Sequence, residues 1–183
     1  AALAAIAGSI FGRVFHHQLG EEQRAQTQQM HEAMLKVFSA SNREDLLSRL
    51  LGIMMRHFGM ERVSIALIHP HTNGLRSEMH TGFASNYVPF AGGGERPRDF
   101  FEWASEQNAA LIYDQASGPM PKELPLCESK SEPARAILAP MRVGTRPIGL
   151  IYADQANHDG RPIFAETLDL LSRLAGIAIE NLN

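Results

Sequence analysis

Residues 134–155 read ARAILAPMRVGTRPIGLIYADQ, and this stretch decides the fold. An apolar run over 136–143 stops at Gly144-Thr145-Arg146-Pro147, and a second run over 148–153 follows at once. Both are rich in residues that suit a pleated surface, and the short turn between them makes a β-hairpin. At a period of two, Gly149, Ile151 and Ala153 share one face of the second strand, and Ile148, Leu150 and Tyr152 share the other. Neither set is charged, so both faces are covered and the hairpin belongs at the centre of a layered sheet. The small Gly149 and Ala153 predict close approach of a helix on their side. The Leu150 and Tyr152 side is left to other cover or to a cavity.

Working outward, the chain before the hairpin opens with helix, strand, strand. Ser41-Asn42-Arg43-Glu44 offers a cap and a first acidic residue ahead of Leu46, Leu47, Leu50, Leu51, Met54 and Met55 at helical spacing. Gly59 ends that helix, a strand follows over 63–68, and Pro70-His71-Thr72-Asn73-Gly74 turns it into a return strand over 75–83. The middle, 84–133, is broken by Gly92-Gly93-Gly94 and by prolines. A short helix over 99–106 carries Phe100 and Trp103 on one face, a short strand spans 111–114, and 115–132 is an irregular loop of the kind that is often functional. After the hairpin comes a polar loop and then a long closing helix over 164–182, with Leu168, Leu171, Leu174, Ala175, Ala178 and Ile179 on one side. Together these elements describe an α+β fold: a central antiparallel sheet with helices mainly on one face.

Residues 1–40 read as a separate appendage and 41–183 as one domain. Leu3, Ile6, Ile10, Phe11, Val14 and Phe15, then Met30, Met34, Val37 and Phe38, recur at helical spacing. Two readings stand: a linker helix with a packed face, or a parallel dimer seam with too few heptads to certify a coiled coil. Arg13, His16 and His17 interrupt the first apolar run, leaving it shorter than the ~20 residues of a membrane span, so no membrane insertion is expected. No basic stretch precedes it and no small-residue cleavage site follows, so it does not read as a signal peptide. The start without methionine suggests a piece of a longer protein.

The chain has 183 residues and a formal net charge of -3, with no Lys/Arg cluster, which argues against nucleic acid as a partner. Its one cysteine, Cys127, excludes an internal disulfide and any CxxC pair, and suits a cytoplasmic location. The eight histidines show no chelating pattern: His16 and His17 point about 100° apart on a helix, and His69 and His71 flank Pro70 without a Cys or carboxylate beside them. Gly92-Gly93-Gly94 lacks the Gly-Lys-Ser/Thr ending of a phosphate loop, and no GxSxG elbow occurs. Asp114 and Asp154 stand at strand ends. Each reads either as an acceptor for local backbone or as an anchor for a cationic or hydroxyl-bearing ligand.

The runs ILAPMRVGTRPIGLIYADQ, FAETLDLLSRLAGIAIENLN and EDLLSRLLGIMMRHFGMERVSIALI resemble a GAF domain, a small sensor module, over about 41–182. RPIGLIYADQ is also similar to GAF-like regions that follow an HDOD domain in bacterial signalling proteins, which would make the N-terminal helices a connector. The resemblance implies a ligand cavity on the sheet face away from the helices, roofed by the middle segment. Its walls would come from Phe83, Phe100, Trp103, Tyr113, Asp114, Cys127, Met141, Leu150 and Tyr152. Departures from family patterns restrict the ligand. Cyclic-nucleotide binders place Asp-Glu four and five residues after a Phe, where Phe164 here is followed by Leu168 and Asp169. Bilin binders have a His directly after their Cys, which Cys127 lacks. Members that reduce free methionine sulfoxide use cooperating cysteines, and Cys127 has no partner in the chain.

The expectation is therefore a non-catalytic bacterial sensory module that binds an unidentified small molecule, with its cofactor unknown, and signals through flanking helices as a homodimer. The alternative is a ligand-free dimerisation scaffold.

Overall fold

A computed structural model describes residues 35, 37, 39–69, 71, 74–84, 106, 109–119, 133–157 and 163–182. The readings made for residues 1–34, for the glycine run at 92–94, for most of the short aromatic helix, and for Cys127 fall outside them. In chain order the described elements are α1 (Arg43–Arg56), β1 (Arg62–Ile68), β2 (Leu75–Thr81), β3 (Leu111–Asp114), a 3₁₀ turn (Gln115–Ser117), β4 (Arg135–Val143), β5 (Arg146–Gln155) and α2 (Ala165–Asn181).

The strands form one antiparallel sheet in the order β2-β1-β5-β4-β3, so β5 is its middle strand. Gly144 and Thr145 alone make the β4–β5 turn, and Gly144 adopts φ of 60°, a left-handed conformation that a residue without a Cβ takes at little cost. Arg146 and Pro147, expected in the turn, already pair with β4. Pro140 pairs with Leu150 of β5, beyond Leu138, the last β4 residue paired with β3.

Alternation along β5 divides the buried side chains into two groups. Gly149, Ile151 and Ala153 face α1 and α2, where they join the main core with Leu46, Leu50, Met54, Leu168, Leu171 and Ala175. Leu150 and Tyr152 face the other way. Ile148 is the exception. A register shift between Met141 and Arg142 leaves it unpaired, and at this bulge it joins the helix side with its neighbour Gly149.

Asn42 caps α1, its side chain accepting from Asp45 N at 2.9 Å, while Asp45 accepts in return from Ser41 N at 3.0 Å. The inward face is Leu46, Leu47, Leu50, Leu51, Ile53 and Met54. Met55, expected inward, is exposed, since it continues the row of Leu51 at the margin of the buried face, and Ile53 takes the inward place.

The close helix approach occurs, but at a different glycine from the one expected. A Cβ on Gly149 would strike Ala66 O at 2.4 Å and the side chains of Leu67 and Met141 at 2.7 Å, so strand residues fill the space above it. On α2, a Cβ at Gly176 would lie 2.6 Å from Arg142 O and 3.0 Å from Arg142 N. The helix therefore rests on the backbone of β4 through Gly176.

Gly176→Ala is expected to lower stability by about 1–3 kcal/mol through overpacking, measured by urea unfolding. Gly52→Ala, which meets only the movable end of Arg56, is the control and should be neutral or up to about 1 kcal/mol more stable. Arg49 first, and then the Ser41 backbone, hold the Asp45 carboxyl below its ordinary range. Its contribution is thus present above the unfolded pKa of about 3.9 and is lost as pH falls through the lower folded value. Asp45→Asn should lower stability in the neutral range and flatten the acid limb of the profile below about pH 4, so that the two proteins converge at low pH in urea unfolding.

Candidate functional site

The sheet face away from the helices is buried although neither α1 nor α2 packs on it: Ala66, Leu75, Tyr113, Ala136, Leu138, Leu150 and Tyr152 form a second apolar cluster, with Phe83 against it. Strand register lays this floor out in rows. At one end Tyr113, Ala136, Asp154 and Arg62 stand side by side across β3, β4, β5 and β1. The next row is Leu111, Leu138, Tyr152, Ser64 and His80, and the third is Pro140, Leu150, Ala66 and Ser77. Polar groups thus gather where β1 begins and β5 ends; the third row is apolar but for Ser77, and Arg142 stands beyond it at the end of β4.

At the polar end the Asp154 side chain is 0% exposed. Arg62 Nε donates to its Oδ1 at 2.5 Å, and Tyr152 OH donates to its Oδ2. A buried carboxylate needs such partners, because losing water without them costs several kcal/mol. Beside this group, Ser64, also fully buried, has its Oγ 3.2 Å from Ser77 Oγ, which lies 3.4 Å from Nδ1 of the exposed His80. Phe83 bridges the two sets, its ring centroid 6.2 Å from that of His80 and 6.5 Å from that of Tyr152.

Four of the nine residues expected to line a cavity come together here: Phe83, Tyr113, Leu150 and Tyr152. Two do not. Met141 pairs with Gly149 and shares its side of the sheet, so it lies in the helix-side core with Ile137 and Ala139. Asp114 follows Tyr113 by one residue and therefore faces the opposite way. It pairs in register with Arg135, accepts from Arg135 Nη2 at 2.9 Å and caps the 3₁₀ turn through Ala116 N at 3.0 Å, which is the local structural role. Phe100, Trp103 and Cys127 lie outside the described residues.

Sequence reasoning left out Arg62, Ser64, Ala66, Leu75, Ala136 and Leu138. The alternation of Ala136 with Ile137 and of Leu138 with Ala139 would have located two of them. Arg62 becomes visible only through its register with Asp154, 92 residues away. On the helix side, Gln155 is 1% exposed, and among the described residues neither Oε1 nor Nε2 has a hydrogen-bond partner. Leaving such groups unpaired costs about 1–3 kcal/mol each.

The floor links to α2 on the far side of the sheet. Ala110, immediately before β3, donates its N–H to the Asp169 carboxylate of α2. Among the described residues no group of three or more His, Cys, Asp and Glu side chains is arranged to hold a metal ion, and no helix is long and apolar enough to cross a membrane.

A family model described as the GAF domain matches residues 42–181. No curated protein sequence matches the chain. Among solved structures, the GAF domain of an Acinetobacter phosphoenolpyruvate-protein phosphotransferase is similar with a TM-score of 0.64 at 12% identity, covering 86% of this chain and 93% of that one. The free methionine-R-sulfoxide reductase of Neisseria meningitidis, in complex with its substrate, has a TM-score of 0.57 at 18% identity, with 84% and 89% covered. The phycoerythrobilin-bound GAF domain of a cyanobacterial phytochrome has a TM-score of 0.55 at 16% identity, with 84% and 94% covered.

Removing one member of the buried pair strands the other. Arg62→Met is expected to cost roughly 3–5 kcal/mol in urea unfolding, and adding Asp154→Leu with Tyr152→Phe should recover most of it. A loss under about 1 kcal/mol for Arg62→Met would contradict the burial of the pair.

Proposed function

The chain belongs to the GAF domain family, and from that premise we propose that it is a non-catalytic, cytoplasmic sensory module that binds a small molecule on the sheet face floored by Leu150 and Tyr152. The observation that carries this reading is the composition of that face: an apolar floor that ends in a buried Tyr152–Asp154–Arg62 group. An apolar surface with a few convergent polar groups is the usual make-up of a small-molecule site. A buried ion pair adds little net stability compared with apolar residues of similar size, so a role in recognition is a reason for its presence. Two similar folds hold a small molecule, a substrate in one case and a bilin in the other. The reductase among them does not carry its chemistry over by fold alone, and the single Cys127 offers no second thiol for a redox cycle.

The route outward runs through β3. Tyr113 stands on the floor, and three residues earlier Ala110 is bonded to Asp169 of α2. A ligand that binds one position of β3 better than another shifts the population of α2 arrangements by the difference in its affinities. Residues 1–40 then serve as a connector to a neighbouring domain.

Two measurements test this. A broad metabolite library should contain at least one compound that raises the melting temperature, and no stabilisation across it would sink the reading. For such a compound, Asp169→Ala should keep the melting shift and lose the ligand-induced change in hydrogen exchange along α2.

One observation favours a second reading, a homodimeric scaffold without ligand. Leu170 and Ile177 of α2 are 46% and 42% exposed and stand seven residues apart, on one outward face. Under that reading Leu170→Glu or removal of residues 1–38 converts a dimer to a monomer in mass measurement, and no library compound changes stability.

A further inference from the structure

A carboxylate on the floor of a binding face suits two ligand chemistries, a cation that pairs with it or a neutral donor that hydrogen-bonds to it, and the surroundings of Asp154 choose between them. Asp154 and Arg62 lie 2.5 Å apart and cancel each other's charge. Around Asp154 the other described side chains of this face are hydroxyl-bearing or apolar; the charged or titratable ones stand away from it, the exposed His80 at the edge of the sheet and Arg142, which donates to Thr145 O, at the far end of β4. A charged group brought beside Asp154 would give up its water and meet, among the described residues there, a pair already formed, which is unfavourable. A hydroxyl or amide N–H needs only a lone pair. A carboxylate has about four acceptor positions. The described side-chain donors to Asp154 are two, Arg62 Nε and Tyr152 OH.

The rest of the floor sets the body of the molecule. From Asp154, β5 runs back to Leu150, roughly 13 Å along the strand at about 3.3 Å per residue. Leu138 and Leu150 line that path, with Leu75 in the same cluster. Resting on the reading that this face is a ligand floor, we infer that its ligand is uncharged at neutral pH, with an apolar or aromatic body over Leu138 and Leu150 and a hydroxyl or amide donor directed at Asp154. Carboxylates and amines are the groups that the Asp154 end of this floor disfavours.

Four probes of nearly one shape separate the terms: toluene, benzyl alcohol, benzoate and benzylammonium. Each is titrated at pH 7 into the intact 183-residue chain while the amide resonances of Leu138 and Tyr152 are followed. The expected result is movement of both resonances by benzyl alcohol, with affinity at least about tenfold above benzoate and benzylammonium and clearly above toluene. Arg62→Met, which leaves Asp154 without its countercharge, should move the preference by about tenfold or more toward benzylammonium. If that variant does not fold, the wild-type ranking decides alone. A charged probe that binds the wild type as tightly as the alcohol overturns the inference and leaves the receptor reading in place. Toluene binding equal to benzyl alcohol overturns the donor directed at Asp154. If none of the four moves either resonance, the inference fails, while the receptor reading falls only if the metabolite library is also silent.

Discussion

Burial of β5 on both faces is the constraint from which the architecture follows. A strand with water on one side can alternate apolar and polar residues; β5 has no such outlet from Ile148 to Ala153, and these residues are buried throughout. Cover must therefore be found twice. On one side α1 and α2 supply it, anchored by the Gly176 contact with the Arg142 backbone. On the other, the floor is buried with no described helix upon it, and it is there that a charged pair is held within an otherwise apolar cluster. The two faces differ in kind: one is a packed core, and the other combines apolar area with directional bonding groups.

What was legible in the sequence was whatever depends on residues close together in it. The periods of α1, β5 and α2 and the turn at Gly144 are local signals, and the elements appear within a few residues of their expected limits. The side of β5 occupied by Leu150 and Tyr152 follows from counting by two. Met141 shows where that reasoning stops, because its side depends on which β5 residue it opposes, and the register is set by a two-residue turn and a bulge that the letters do not display. Asp114 illustrates the same limit over a single residue, since grouping it with Tyr113 ignored the reversal of side chains between neighbours. The Arg62–Asp154 pair lay beyond local reading altogether, because it is created by the β1–β5 ladder.

The polar end of the floor also explains how one short strand can belong to both sides of the molecule. β3 has four residues; Tyr113 and Leu111 reach the floor, whereas Ile112 and Asp114 reach the helix side. The strand is held laterally by β4 and at its start by Asp169 of α2. An element this short has few bonds of its own and follows whichever neighbour moves.

The brevity of β3 leaves the far half of β4 without a second strand neighbour among the described residues, and Pro140 stands there, buried. Unpaired strand borders are templates on which another chain can add itself, the first step of fibre growth. A proline interrupts that template, since it has no N–H to offer an incoming strand. A residue that looks out of place inside a strand thus stands, buried, where no further described strand calls on its missing N–H, the kind of position in which a sheet tolerates proline.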